Sequence, residues 1–158
     1  MTLSALAQAA GIGKATLSGL ENGTRNPTLE TLYAITAQLD VPLAVLLTDP
    51  TGAHPPAVVH GSAVEGDLLE VFTDPGVTYE LYQLIVRPGR TQTSPAHQRG
   101  VTEHITVYTG TLWTGPADSP REVRAGQHYS WRADTPHVYA AVGDKIVHAN
   151  LLMRYPRS

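Results

Sequence analysis

Residues 14–26 carry polar side chains that could recognise a nucleic acid. Around them, Thr2–Gly23 shows the apolar spacing of two short helices separated by Gly11. A short amphipathic helix with small and polar residues near its start, braced by another helix, can lie in the major groove of DNA. The residues that we predict to face base edges are Lys14, Ala15, Thr16, Ser18 and Gly19. Those that we predict to hold phosphates are Asn22, Arg25 and Asn26.

Periodicity alone leaves a plain alternative for this stretch. Two helices joined by a tight turn also occur as an αα-hairpin in small helical domains of many kinds. For Arg25 and Asn26, ordinary polar exposure in a loop explains the residue types nearly as well. The choice therefore depends on the whole string and its context rather than on its helical period.

The string TLSALAQAAGIGKATLSGLENG closely resembles the lambda-repressor-like helix-turn-helix of the xenobiotic-response-element family of bacterial regulators. The matching residues are Leu6-Ala7, Gly11, Thr16-Leu17-Ser18, Leu20-Glu21-Asn22-Gly23 and Pro27-Thr28-Leu29. The resemblance implies a transcription regulator that binds a double-stranded DNA operator. Members of this family normally have one more helix before the bracing helix, so we expect the first helix of the domain to be missing from this sequence.

Two further helices are predicted to complete an N-terminal all-α domain over residues 1–48. A third helix starts at Asn26 or Thr28 as its cap, and Pro42–Leu47 reads as a short fourth helix. The apolar stripe of the third helix consists of Leu29, Leu32, Ile35 and Leu39. Residues 49–62 are rich in proline and glycine without a helical period, and we predict that they form a linker.

From residue 63 the apolar pattern changes to short runs of β-branched and aromatic residues separated by turn signals. The predicted strands include Tyr79–Arg87, Glu103–Tyr108, Val138–Val142 and Lys145–Met153. Several short strands without a long helix indicate an antiparallel barrel or sandwich over residues 63–158. The predicted fold class is therefore multi-domain, an α part followed by a β part.

Histidine and glutamate recur in this β region at defined spacings. His97, Glu103 and Gly110 stand at relative positions 1, 7 and 14, and His137 follows Gly126 by eleven residues. These spacings resemble the two signature motifs of the cupins, which are double-stranded β-helix barrels. The resemblance implies that His97, Glu103 and His137 take the positions of metal ligands. It also places Arg99 where the second metal-binding histidine of the first motif stands in that family.

The residues leave three interpretations of this set open. In the first, His97, Glu103 and His137 hold Fe(II), Mn(II), Ni(II) or Zn(II). In the second, the permanently charged Arg99 pairs with Glu103 and opposes a metal, and an organic effector binds instead. The effector pocket would then be lined by His97, Arg99, Glu103, His137, Tyr139 and His148. In the third, they are ordinary polar residues at a barrel mouth.

Composition excludes several classes of protein and suggests an assembly. The chain has no cysteine, so thiolate metal sites are excluded, and no run approaches the ~20 apolar residues of a membrane span. Without an export signal, we expect a cytoplasmic protein with no membrane partner. The net charge is −3, and residues 1–50 hold few cations, which limits counterion release per subunit. We therefore expect a homodimer that places two recognition helices about one DNA turn apart.

These observations predict a DNA-binding transcriptional regulator, not an enzyme, whose cupin barrel senses a small-molecule effector. The linker at residues 49–62 is the expected place for two domain arrangements to differ. The alternative is a metal-dependent cupin oxygenase or isomerase that keeps its helical domain only for assembly. One fold supports both functions, so the fold alone does not choose between them.

Overall fold

Residues 1–47 and 58–156 are described by the structure, a computed structural model, and they form helices followed by strands. The helices are α1 (Leu3–Ala9), α2 (Lys14–Glu21), α3 (Leu29–Leu39) and α4 (Ala44–Leu47). The strands are β1 (Val58–His60), β2 (Val64–Asp74), β3 (Val77–Val86), β4 (Thr91–Ser94), β5 (Thr102–Thr109), β6 (Thr111–Pro116), β7 (Arg121–Arg124), β8 (His128–Arg132), β9 (His137–Ala141) and β10 (Val147–Pro156). The predicted order of an α part and then a β part is confirmed.

Local capping signals set the boundaries of the first helices. Thr2 Oγ1 accepts a hydrogen bond from the N–H of Ala5 at 3.2 Å, and Thr28 Oγ1 accepts one from the N–H of Thr31 at 3.3 Å. Between α1 and α2, Gly11 has a φ of +67°, a left-handed conformation that glycine adopts at little cost. Gly11 therefore forms the tight turn that the sequence predicted between the first two helices.

The buried face of α3 differs from the prediction at the end of the helix. The buried side chains are Leu29, Leu32, Tyr33, Ile35 and Thr36. Leu39, predicted to continue the apolar stripe, is 40% exposed. The helix ends there because Asp40 adopts a left-handed φ of 54°, which turns the chain away. Tyr33 therefore joins the buried face, although the sequence analysis did not assign it there.

The described strands form two antiparallel sheets whose inner faces share one core. The order is β1-β2-β3-β10-β5-β8 in the larger sheet and β4-β9-β6-β7 in the smaller. Along β5, Glu103, Ile105 and Val107 are buried, and the residues between them are more exposed, as strand alternation predicted. Val58–His60, which the sequence analysis assigned to the linker, instead pair with β2 as β1. The rest of the predicted linker, residues 49–57, lies outside the described residues.

Helix α3 packs on two partners at once. On one side, Ile35 packs with Ala7 of α1 and Leu17 of α2 in a small cluster. On the other side, Leu29, Leu32 and Tyr33 belong to the same hydrophobic core as the barrel. The helical part is therefore docked directly on the barrel.

Two side-chain contacts to the main chain reinforce this docking. The Gln98 side chain donates hydrogen bonds to the carbonyl oxygens of Thr36 at 3.2 Å and Val41 at 2.5 Å. On the other side of the interface, Glu30 Oε1 accepts a bond from the N–H of Ser62 at 3.0 Å. Because the carbonyl oxygens at the end of a helix need donor partners from outside it, Gln98 serves as a cap for α3 contributed by the barrel part.

Glu80 is a buried carboxylate that supports α4 from inside the barrel. Its Oε1 accepts a bond from the N–H of Ala44 at 2.6 Å, and its Oε2 accepts one from the Tyr82 hydroxyl at 2.8 Å. Burial raises the pKa of Glu80, although these hydrogen bonds oppose the rise. We expect Glu80→Ala to lower the free energy of unfolding by about 3 kcal/mol, because both donors lose this acceptor and a cavity forms. Urea denaturation measures the loss.

The matched control for this prediction is Glu80→Gln, which keeps the volume and one acceptor oxygen. Its expected loss is about 1 kcal/mol or less, since a buried charge costs free energy that the amide does not. Equal losses in the alanine and glutamine variants would contradict a hydrogen-bonding role for Glu80.

Candidate functional site

His97, Glu103 and His137 meet inside the barrel, each carried by a different element. Glu103 points inward from β5, His137 begins β9, and His97 lies in the loop after β4. The Nε2 atom of His97 is 2.8 Å from Glu103 Oε1, and the Nε2 atom of His137 is 3.3 Å from the same oxygen. The three ligand-type atoms lie within 4.8 Å of one another, and all three side chains are buried. We call these three residues the His–Glu–His cluster.

The charges in the cluster are set by burial and by mutual contact. Burial favours a higher pKa for Glu103, but His137 and His97 outweigh burial and hold that pKa well below its ordinary value. For His97, burial lowers the pKa and outweighs the effect of Glu103. For His137, burial acts in the same direction but Glu103 outweighs it, so the pKa is raised. Glu103 is therefore ionised in the folded protein, and His137 holds a proton more tightly than His97.

Two further contacts orient the cluster. Tyr139, on the same face of β9 as His137, donates its hydroxyl hydrogen to Glu103 Oε2. Burial and the charge of Glu103 raise the pKa of Tyr139, so the hydroxyl keeps its hydrogen. The Nδ1 atom of His137 is 2.9 Å from the carbonyl oxygen of Thr135, which can only accept, so Nδ1 carries the hydrogen. This bond fixes both the ring orientation and the tautomer of His137.

The cluster fits a divalent metal ion. His137 Nε2 is buried and faces Glu103 without the geometry of a hydrogen bond. A histidine whose other ring nitrogen donates to a backbone carbonyl is the usual arrangement of a metal ligand. Two imidazoles and one carboxylate suit Fe(II), Mn(II), Ni(II) or Zn(II). Ligands bound about 2.1 Å from one ion lie roughly 3–4 Å apart, a spacing that small side-chain rotations would give here.

Arg99 does not take the place that the sequence suggested. Its side chain is exposed in the loop between β4 and β5, whereas the Glu103 carboxylate contacts His97, His137 and Tyr139. The predicted pairing of Arg99 with Glu103 is therefore wrong. The physical reason is that the loop turns this residue outward, so its permanent charge stays in solvent and does not oppose a cation in the barrel.

His148 also lies outside the predicted effector pocket. It is exposed on the outer face of β10, and its N–H donates to Thr109 Oγ1 at 3.2 Å. The inward residues of that strand are Val147, Ala149, Leu151, Met153 and Tyr155. Alternation predicts two faces without saying which one is inner. The available signal for the inner face was its more apolar set of alternate residues, and His148 belongs to the other set.

The space around the cluster is small. The cavity that the described residues enclose beside Tyr33 and Tyr139 has a volume of about 10 Å³. A larger cavity of about 500 Å³ lies where α4 meets the barrel, between Val45 on the helical side and Val71 and Tyr155 on the barrel side. Its lining includes none of the six residues predicted for the effector pocket. Neither of these two cavities is lined by His97, Glu103 or His137, whose side chains are buried.

Tyr33 of α3 belongs to the site, and the sequence analysis missed it. Its ring is tilted by 60° against the His97 ring, with 4.3 Å between the ring centroids. Its hydroxyl contacts Met153 Sδ at 3.4 Å, and the side chain is buried. Tyr33 stands one helical turn after Leu29, and this spacing was the available signal for its burial. Which surface it would cover depends on how α3 docks on the barrel.

The N-terminal helices present a polar face at α2. Lys14 and Ala15 are exposed, and Thr16 and Ser18 are partly exposed, so these four predicted base-contacting residues can reach a ligand. Gly13 caps the helix and leaves Lys14 as its first residue. The predicted phosphate-contacting residues Asn22, Arg25 and Asn26 are exposed after the helix.

Comparisons with known proteins agree with both halves of this architecture. A family model described as "Helix-turn-helix" (HTH_3) matches residues 1–46. The HTH-type transcriptional regulator SutR of Escherichia coli (strain K12) is 31% identical over 158 residues, covering 99% of this chain and 88% of SutR. This chain belongs to the xenobiotic-response-element family of helix-turn-helix transcriptional regulators. Its β part is the cupin domain of such a regulator.

Two solved structures resemble the regulator. An HTH_3 family transcriptional regulator from Vibrio cholerae has a TM-score of 0.76 and 28% identity, covering 99% of this chain and 88% of that one. The Cupin_2 domain of an XRE family transcriptional regulator from Enterobacter cloacae has a TM-score of 0.54 and 29% identity. It covers 61% of this chain and 100% of that one. The first match includes both the helical and the barrel parts.

One predicted DNA contact of the regulator needs correction. Gly19 is buried, and a Cβ atom there would lie 3.1 Å from the Arg25 side chain. Its carbonyl oxygen accepts bonds from the N–H groups of Thr24 and Arg25. Gly19 therefore allows the following loop to fold against α2 and does not itself face a base.

Among the described residues, no helix is long and apolar enough to span a membrane.

Proposed function

We propose that this regulator binds operator DNA as a homodimer through α2, and that its small-molecule effector is a divalent metal ion held by His97, Glu103 and His137. The observation that carries the metal part is the buried Nε2 of His137, which has no hydrogen-bond partner beside an ionised carboxylate. As a regulator of transcription, the protein would act on DNA in the cytoplasm, without catalysis.

The DNA part of the proposal is supported by the exposed face of α2 and by the distribution of charge. Among residues 1–47, the basic residues are Lys14 and Arg25, against three acidic ones, for a net charge of −1. Because two cations can displace only a few counterions from DNA, one subunit would bind DNA weakly. Two subunits that hold their α2 helices about 34 Å apart would contact two half-sites on one face of the duplex.

The metal part of the proposal assigns a role to each residue around the cluster. The ion would be bound by His97, Glu103 and His137. It would thereby hold together the three elements that carry these residues, namely the loop before β5, β5 itself and β9. The carbonyl of Thr135 orients His137, and the hydroxyl of Tyr139 orients Glu103. Such surrounding contacts typically change metal affinity by about 10- to 100-fold.

A metal-dependent oxygenase or isomerase is the other candidate function. An enzyme of this type needs space for a substrate next to the metal ligands. The three cluster side chains are buried, and the cavity of about 10 Å³ beside Tyr33 and Tyr139 is too small for a substrate and is not lined by them. The available space therefore favours an ion as effector over catalysis on an organic substrate.

The test is the metal content and operator affinity of the full chain purified without chelator. We expect about one ion per chain, because the described residues hold one such cluster. Removal of the ion should change the affinity for a selected operator by roughly 5- to 150-fold, the usual range of coupling between sites. His137→Ala should lose the ion, whereas His128→Ala, a change at an exposed histidine of β8, should keep it. A chain that binds no divalent ion, or an operator affinity that is the same with and without the bound ion, would overturn the metal part.

A further inference from the structure

We propose that α3 is a lid over the His–Glu–His cluster, so that solvent and ions reach the cluster only when this helix of the DNA-binding half lifts from the barrel. The role of this lid in regulation rests on the function proposed above.

Tyr33 of α3 covers one side of the cluster. Its ring covers His97 at a centroid distance of 4.3 Å, on the side of the cluster that faces α3. Leu29 and Leu32 flank it and belong to the same core as the barrel residues. With all three cluster side chains buried, a molecule arriving from this side must displace the Tyr33 ring.

The barrel walls around the cluster are harder to open than the lid. The rings of Trp131 and Tyr139 lie 6.3 Å and 5.8 Å from the His137 ring. β5, which carries Glu103, is hydrogen-bonded on both sides, to β10 and β8. Parting these strands would break a ladder of backbone bonds. Helix α3 is held by side-chain packing and a few side-chain bonds, and such contacts are broken in local opening at lower cost.

Helix α3 also connects the lid to the proposed DNA-binding surface. The opposite face of α3 holds Ile35, which packs on Ala7 of α1 and Leu17 of α2. A helix that is packed in this way moves with its neighbours, so lifting α3 would shift the recognition helix relative to the barrel. Gln98 strengthens the connection, because it caps α3 and directly follows His97 in the chain.

Two domain arrangements therefore differ at the α3–barrel contact rather than only at the linker. Opening of this contact would expose the cluster and release the recognition helix together. By linkage, anything that favours one arrangement on DNA must change ion affinity by the same factor.

The lid can be tested without an operator or a metal. Diethyl pyrocarbonate acylates accessible imidazole, and mass spectrometry gives the labelling rate of each histidine in the metal-free full chain. We expect Tyr33→Ala to accelerate labelling of His97 and His137 by at least about tenfold, because the opening free energy falls. Tyr33→Phe, which keeps the ring, should stay within about threefold of the unaltered protein. Exposed His128 provides an internal reference that should not change.

A second pair of variants keeps the test decisive if Tyr33→Ala unfolds. Gln98→Ala removes the cap from α3 without opening the barrel core, and we expect labelling of His97 to accelerate by about threefold or more. Tyr108→Ala, a change at an exposed aromatic residue of β5, should have no effect. If His97 is labelled in the unaltered protein as fast as His128, or if neither Tyr33→Ala nor Gln98→Ala changes its rate, the lid is excluded.

The same variants separate this inference from the proposed function. Release of bound Zn²⁺ to a chromophoric chelator should accelerate in Tyr33→Ala and Gln98→Ala in the order of their labelling rates. If the chain binds no ion, the metal proposal fails and the labelling rates alone decide about the lid. If the chain binds an ion but both variants release it at the unaltered rate, the lid fails and the metal proposal stands.

Discussion

Glu103→Ala is expected to abolish ion binding and to destabilise the fold more than any other single change in the barrel that we consider. The carboxylate is buried and contacts two imidazoles and the Tyr139 hydroxyl. Its removal leaves His97 and the Tyr139 hydroxyl without their acceptor and His137 without its opposite charge, at a cost of about 3–5 kcal/mol in the free energy of unfolding. The affinity for a divalent ion should fall by at least about 100-fold, since a ligand contributes more than a residue behind it. Calorimetry of binding and urea denaturation measure the two effects.

Glu103→Gln separates charge from volume in this prediction. The amide fills the same space and can accept one hydrogen bond, so the loss of stability should be smaller than in alanine, whereas ion binding should still be lost. Glu122→Gln is the matched surface control. It alters an exposed pair with Arg124 at 3.6 Å, and such pairs contribute about 0–1 kcal/mol. Ion binding retained in both Glu103 variants would contradict the assignment of this cluster.

The advantage of Glu103 over glutamine should depend on pH in a defined direction. The pKa of Glu103 in the folded protein lies below its ordinary value of 4.5, despite burial, because of His137 and His97. The unfolded chain therefore binds more protons at this residue, so the stabilisation is fully present above the unfolded pKa. It should be lost as the pH falls through 4.5 toward the lowered pKa. Denaturation of both proteins between pH 7 and pH 3 measures the difference.

The site shows how local signals and long-range packing contribute differently to what a sequence reveals. Thr2, Gly11 and Thr28 act within a few residues of themselves, so their capping and turn roles could be predicted. Alternation along β5 places Glu103 on one face with Ile105 and Val107, and the structure shows that this face is the inner one. The spacing resemblance to the cupin motifs supplied His97 and His137, because a family motif records which distant strands come together.

Other features depended on contacts that the chain makes far from the residue itself. The position of Tyr33 against His97 is set by how α3 docks on the barrel, which no local pattern describes. Arg99 occupies a ligand position of the motif, but a loop of the chain turns it outward. This error mattered, since an Arg99 charge inside the barrel would have argued against the metal that the cluster fits. The prediction was therefore sound for the elements and weaker for the surface between the two halves.

Docking of the helices on the barrel changes how regulation by this protein is best explained. A linker by itself gives two domains no reason to respond to the barrel site. Here one helix, α3, packs against α1 and α2 through Ile35 on one face. On its other face, Tyr33 covers the His–Glu–His cluster of the barrel. An equilibrium between docked and lifted α3 is a two-state element that both DNA and ion could bias, which is the physical requirement for allostery.

Lys14→Ala is expected to have the largest effect on operator binding. Lys14 is exposed at the start of α2, where a lysine can donate to guanine in the major groove. Loss of such a contact costs about 1–3 kcal/mol per half-site, and a homodimer loses it twice. Operator affinity should therefore fall by roughly 30-fold or more, with a smaller effect on random duplex DNA. Fluorescence anisotropy with operator and random duplexes measures both.

The chain contains one other lysine, Lys145, which makes a matched control possible. It is exposed in the turn between β9 and β10, and Lys145→Ala changes the net charge by the same amount. If α2 reads the operator, Lys145→Ala should leave operator affinity within about twofold, because Lys145 lies in a turn of the barrel and not in the helical part. Equal losses in the two variants would mean that only overall charge matters. No loss in either would mean that another surface contacts the DNA, and α2 would no longer explain recognition by this regulator.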